Sequence, residues 1–176
     1  MRKTARVAAA GLLVCFLLPA VLAQYQDEPL NDKEIDELRD AAQVPEARMK
    51  LYIEFARDRL TSLEQMRADP KVSDRAQQTH DKLQNFLDVY DELNNNIDTF
   101  VHRRADLRKP LKKLIEADTE FQAKLRALKT SADASPQEAE KYQFVLANAV
   151  DTVDGSLQDH QQLLNEQETE FKHKKK

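Results

Sequence analysis

Between Ala76 and Val101 the chain returns a core-compatible residue at alternating steps of four and three: Ala76, His80, Leu83, Leu87, Tyr90, Asn94, Ile97 and Val101. That spacing keeps one side of an α-helix turned toward a neighbour and is the seam of heptad-packed helices. Phe86, Leu93 and Phe100 widen the seam, so this helix is expected to touch more than one partner. Asn94-Asn95-Asn96 lies inside the seam. The helix is therefore expected to run through it, with Asn94 as a polar core residue that fixes register. The alternation of a half-buried strand occurs nowhere in the sequence.

Similar stripes flank this segment. Asn31-Asp32-Lys33-Glu34 has the form of a capping box, and Ile35, Leu38 and Ala42 mark one face of a short first helix. Val44-Pro45 interrupts it, and Pro45 suits the first position of the next helix, where its missing N–H would lack a partner anyway. Tyr52, Phe55, Ala56, Leu60, Leu63 and Met66 stripe a helix over about 45–68, ended by Asp69-Pro70. Ser73 reads as the cap of the third helix, which extends to about 105. Leu111, Leu114, Ile115, Phe121, Leu125 and Leu128 mark a fourth segment over about 110–130. Residues 130–137 read as a loop in which Ser135, Pro136 and Glu138 start a last helix reaching about 172. Its stripe is Ala139, Tyr142, Leu146, Ala149, Val153, Leu157, His160, Leu164 and Phe171.

The expected fold is all-α: an elongated antiparallel bundle of four main helices plus a short N-terminal one, forming a single domain over 31–172. The open point is Pro110. Residues 103–110 lack Gly, Asn and Ser, which argues for a kinked rod. The broad faces at 83–101 and 142–153 argue for a reversal, and the four-helix bundle is the expectation taken here.

Residues 1–23 have the layout of a cleaved signal peptide. Arg2, Lys3 and Arg6 precede an uncharged run from Val7 to Ala23, with cleavage expected between Ala23 and Gln24. The chain is expected to be periplasmic or secreted, and not membrane-spanning once the leader is gone. Residues 24–30 read as a disordered lead and 173–176 as a basic tail. Cys15 leaves with the leader, so the exported part has no disulfide and no thiolate chemistry. Gly155 is then the one glycine left, too few for a phosphate-cradling loop. The chain holds 27 basic and 31 acidic residues; the leader removes three basic and none acidic, leaving 24 against 31, a net −7.

Catalytic and cofactor constellations are sparse. No serine stands in a G-x-S-x-G setting, and paired carboxylates on helix faces suit any solvated helix. The chain is expected not to be an enzyme and to need no cofactor. His80 and His160 fall on core stripes, where a hydrogen-bonded structural histidine is the plain reading. The alternative function class is a small-ligand, metal or b-type haem bundle using a histidine with Met49 or Met66. Glu170 and His173 form a lone E-x-x-H, whereas ferritin-like di-metal sites need two copies and two further glutamates. Leu60-Thr61-Ser62-Leu63-Glu64-Gln65 comes near the LTxxQ repeat of small periplasmic helical chaperones, but its glutamine is one residue late and no second copy exists.

One stretch invites a binding role. Arg103, Arg104, Arg108, Lys109, Lys112 and Lys113 crowd around Asp106 and Pro110. They form either a patch for an anionic partner or a cluster neutralised within the protein. Antiparallel pairing of the first helices with the third would lay the acidic segment 32–40 opposite 102–110. The expected function is that of an exported, non-catalytic helical protein that binds a macromolecule as adaptor, scaffold or chaperone-like holder. Its partner is expected to be a protein or an envelope polyanion rather than nucleic acid, and homo-oligomers are compatible with the pattern.

Overall fold

The computed structural model describes residues 29–174. The leader, the Ala23–Gln24 cleavage point, most of the lead and the last two lysines lie outside them. Six helices follow one another: α1 Asp32–Asp40, α2 Pro45–Ala68, α3 Arg75–His102, α4 Arg108–Asp133, the single turn α5 Pro136–Ala139, and α6 Gln143–Lys174. No strand occurs among the described residues. The fold is all-α.

The four long helices form a square. α2 packs on α3 and α4, and α6 packs on α4 and α3, leaving α2–α6 and α3–α4 as diagonals. Cross-links fix the directions. Arg48 bonds Asn96 and Arg59 bonds Asn85, so α2 and α3 are antiparallel. Lys113 bonds Glu46 and Lys124 bonds Glu64, so α2 and α4 run parallel. Gln122 bonds Asp154 and Lys112 pairs with Glu168, so α4 and α6 are antiparallel. The core fills the square with Leu, Val, Ile, Met and an aromatic cluster. Within that cluster Phe86 and Tyr90 stack at 5.6 Å, and Phe121 meets both edge-on. α3 alone is about 42 Å long at about 1.5 Å per residue.

The chain reverses before Pro110. The Ala105 N–H bonds Phe100 O at 3.0 Å and the Arg104 N–H bonds Val101 O at 2.8 Å, the paired bonds of a Schellman ending. That ending requires a left-handed residue, and Arg104 supplies it at φ 56 where glycine is usual. The absence of glycine at 103–110 therefore did not forbid the turn. Pro110 is the third residue of α4, within the first turn, where no intrahelical N–H bond is lost.

Four boundaries differ from the sequence expectation. Asp74, at φ 47, takes the cap position before α3 in place of Ser73, whose carbonyl accepts the Gln78 amide. α3 stops at His102 because the Schellman bonds close it there. α4 runs to Asp133, since Ala132 is buried and nothing breaks the helix before Ser135-Pro136. Ser135 makes no capping bond; the helix it was expected to start lasts one turn, and α6 begins at Gln143. The break lets Tyr142 turn wholly into the core, under the Arg67 guanidinium 5.4 Å from its ring.

Candidate functional site

Three elements bring cations to one end of the square. The Glu46 bonds place the start of α2 beside the start of α4, and the Lys112–Glu168 pair places the end of α6 there too. The α3–α4 turn closes this end with Arg103 and Arg104. All six residues of the basic stretch are thus brought together, joined by Lys172 and His173 on the last turn of α6. Arg103, Arg104, Lys109, Lys112 and Lys113 are exposed and Arg108 is half-buried.

Part of this charge is matched internally. Glu46 accepts from Lys109 at 2.9 Å and Lys113 at 3.0 Å, and those bonds hold its carboxyl below the usual glutamate range. Lys112 pairs with Glu168 at 2.9 Å and lowers it likewise. Arg108 forks onto Asp106 at 2.6 and 2.8 Å, which takes Asp106 down to about 2. The same guanidinium lies 3.3 Å from the centre of the Phe171 ring. Three carboxylates thus answer four cations; among the described residues no ion pair involves Arg103 or Arg104.

The matching acids are not those expected. Segment 32–40 does not lie opposite 102–110. The 41–44 turn and Pro45 fold α1 back on α2, and Arg59 holds it there. Arg59 donates to both Glu34 oxygens at 2.7 and 2.6 Å, to Pro29 O at 2.8 Å and to Asn85 at 2.5 Å. Burial alone would raise the Glu34 pKa; the bonds from Arg59 and the Asn31 N–H outweigh it and set it below its ordinary value. The Asn31–Glu34 capping box forms as expected. Pro29 and Leu30, expected to belong to a disordered lead, sit against the bundle through Arg59 and the core.

A cleft of about 430 Å³ opens between the α3–α4 turn and α6. Arg104, Arg108 and Phe171 line it, but so do Asp106, Glu166 and Glu170, so it is not an anion pocket.

The histidines divide. His80 is half-exposed beside Asp81, and Thr79 takes the inward position. His160 is 4% exposed, and its Nδ1 lies 2.8 Å from Asp118 Oδ2. Asp118 is 0% exposed and accepts the Tyr90 hydroxyl at 2.7 Å on its other oxygen. Burial, and then the adjacent carboxylate, push the Tyr90 hydroxyl far above its ordinary pKa. One buried carboxylate thereby ties α3, α4 and α6 at mid-bundle. A signal for it existed: Leu111, Leu114, Asp118, Phe121 and Leu125 continue the three-four step, but an aspartate is not counted in an apolar stripe. Met49 and Met66 are buried core residues of α2. Asn94 lies within continuous α3, as expected, and its amide donates to Ser156 at 3.1 Å. Glu170 and His173 lie in the last turns of α6, and no group of three or more metal-capable side chains occurs among the described residues. None of their helices is long and apolar enough to cross a membrane.

Comparison with known proteins gives no match, whether to a family model, a curated protein or a solved structure.

Proposed function

We propose that the chain works outside the cytoplasm as a non-catalytic binding module, an adaptor, scaffold or chaperone-like holder, and that the cation-rich end of the bundle is its contact surface. The export-type leader supports the location. The observation that carries the rest is the assembly of cations from the α3–α4 turn, α4 and α6 at one end of a chain whose overall charge is negative. Charge placed this way raises encounter rates with anionic partners and suits recognition more than stability.

Site-directed crosslinking in the native host tests it. A photoreactive residue at 103 or 112 should trap a partner, and the same residue at Asp81, near the far end of α3, should not. A protein that traps nothing from 103 or 112 loses this reading. A chaperone-like holder should in addition suppress client aggregation at about stoichiometric amounts.

A further inference from the structure

We infer that the cation-rich end of the bundle docks on an anionic phospholipid surface. The inference rests on the contact surface proposed above and names its partner.

Local physical chemistry works against the residues found there. Arg104 stands in the left-handed region, where a side chain is disfavoured and glycine is the default. Arg108, Lys109, Lys112 and Lys113 occupy the first turns of α4, and no acid occupies its first turn. The positive end of the helix dipole repels Arg108 and Lys109, which stand in its first turn. Residues that break local rules together, in one place, mark a site whose use lies beyond folding. An anionic surface reverses the sign of that repulsion, since it attracts these side chains. Arg103 needs no such account, because a cation is welcome at the end of α3.

Two apolar side chains exposed at this end favour a bilayer over a soluble polyanion. Val44 is 53% exposed in the turn before α2, and Phe171 is 37% exposed on α6; a more exposed ring, Phe144 at 82%, stands at the far end, at the start of α6, outside the proposed contact. The Glu46–Lys109 and Lys112–Glu168 pairs put both at the level where α4 begins. Apolar groups beside lysines and arginines fit a headgroup layer, where the cations meet phosphate and the apolar tips enter the acyl boundary. A glycan or nucleic acid offers Val44 nothing. The lysines' present partners, Glu46 and Glu168, are surface pairs that yield readily to a denser counter-charge.

The rest of the molecule sets the approach. Helices α2 and α4 together hold 12 basic and 8 acidic residues, a net +4; α3 and α6 hold 4 and 11, a net −7. These are opposite sides of the square. An anionic bilayer therefore orients the bundle with the start of α4 and the end of α6 toward it and the acidic α3/α6 side tilted away.

The test is co-sedimentation of the chain from Gln24 onward, without the apolar leader, with phosphatidylcholine vesicles, with and without phosphatidylglycerol, at low and high salt. Each cation near such a surface strengthens binding about fivefold. R103Q/R104Q should thus lower the phosphatidylglycerol-dependent partition about 25-fold, and R103K/R104K should restore it. Both side chains are exposed, and circular dichroism confirms that the variants fold. V44S should weaken binding without abolishing its salt dependence. Phosphatidylglycerol-dependent binding that R103Q/R104Q leaves unchanged overturns the inference, as does equal binding to phosphatidylcholine alone. Retention on heparin with no vesicle binding also overturns it, and leaves the proposed contact surface standing. Vesicle binding with no crosslinked partner supports the inference and removes the adaptor reading.

Discussion

Replacing His160 by leucine removes one of the two groups that hold Asp118. Asp118 is 0% exposed; one oxygen lies 2.8 Å from His160 Nδ1 and the other accepts the Tyr90 hydroxyl at 2.7 Å. Leaving a buried carboxyl short of a hydrogen-bond partner costs about 1–3 kcal/mol. For a chain this size about 1 kcal/mol moves Tm by about 2–4 °C, so H160L should melt about 2–12 °C lower. With a urea m-value of about 2 kcal/mol/M the midpoint should fall by about 0.5–1.5 M. The chain has no tryptophan, so far-ultraviolet circular dichroism is the probe. The triple variant H160L/D118L/Y90F removes every member of the group and should return to within about 1–2 kcal/mol of the parent. That non-additivity is the diagnostic. An H160L cost below about 1 kcal/mol, or a triple variant as weak as the single ones combined, would refute the buried pairing.

Arg104→Gly should stabilise the fold by about 0.5–1 kcal/mol, as relief at the left-handed position exceeds the added freedom of the unfolded chain; a lower Tm would contradict the Schellman ending. Tyr142→Phe should be neutral or mildly stabilising by urea titration, since the buried hydroxyl has no hydrogen-bond partner among the described residues. Glu34, Glu46, Asp106, Asp154 and Glu168 all have folded-state pKa values below their ordinary ones. Lowered carboxyls contribute stability that is fully present above their unfolded values, near 4, and is lost as pH falls through the folded ones. The urea midpoint should therefore hold from pH 7 to about 5 and drop toward pH 2, with E34Q flattening part of the slope; a midpoint unchanged at low pH would refute the assignment.

The helices were legible because their apolar stripes are long and repeat faithfully, as at 83–101. Their ends were not, because end chemistry here departs from its usual residues. The turn after α3 uses an arginine where glycine is expected, Asp74 displaces Ser73, and Ser135 caps nothing. The six basic residues were legible as a cluster from charge alone. Their counter-ions were not, since Glu46 and Glu168 reach them through the order of helices around the square, which no local pattern encodes. Asp118 was hidden for the opposite reason: it obeys the stripe's spacing with the wrong chemistry.

The two polar investments of this bundle differ in kind. Asp118 is enclosed by residues from three helices, and its cost without them is what favours one register over a slipped one. A one-step slip of α6 against α4 would carry His160 out of reach and leave the carboxylate buried and short of a partner. The cations at the end of the bundle do nothing comparable for folding. Their pairs with Glu46 and Glu168 are solvent-exposed surface pairs that contribute little to stability. Glutamate in place of Lys109 would suit the start of α4 better. Stability alone would therefore favour the opposite sign at this end, and the sign that is found is the one a negatively charged partner requires.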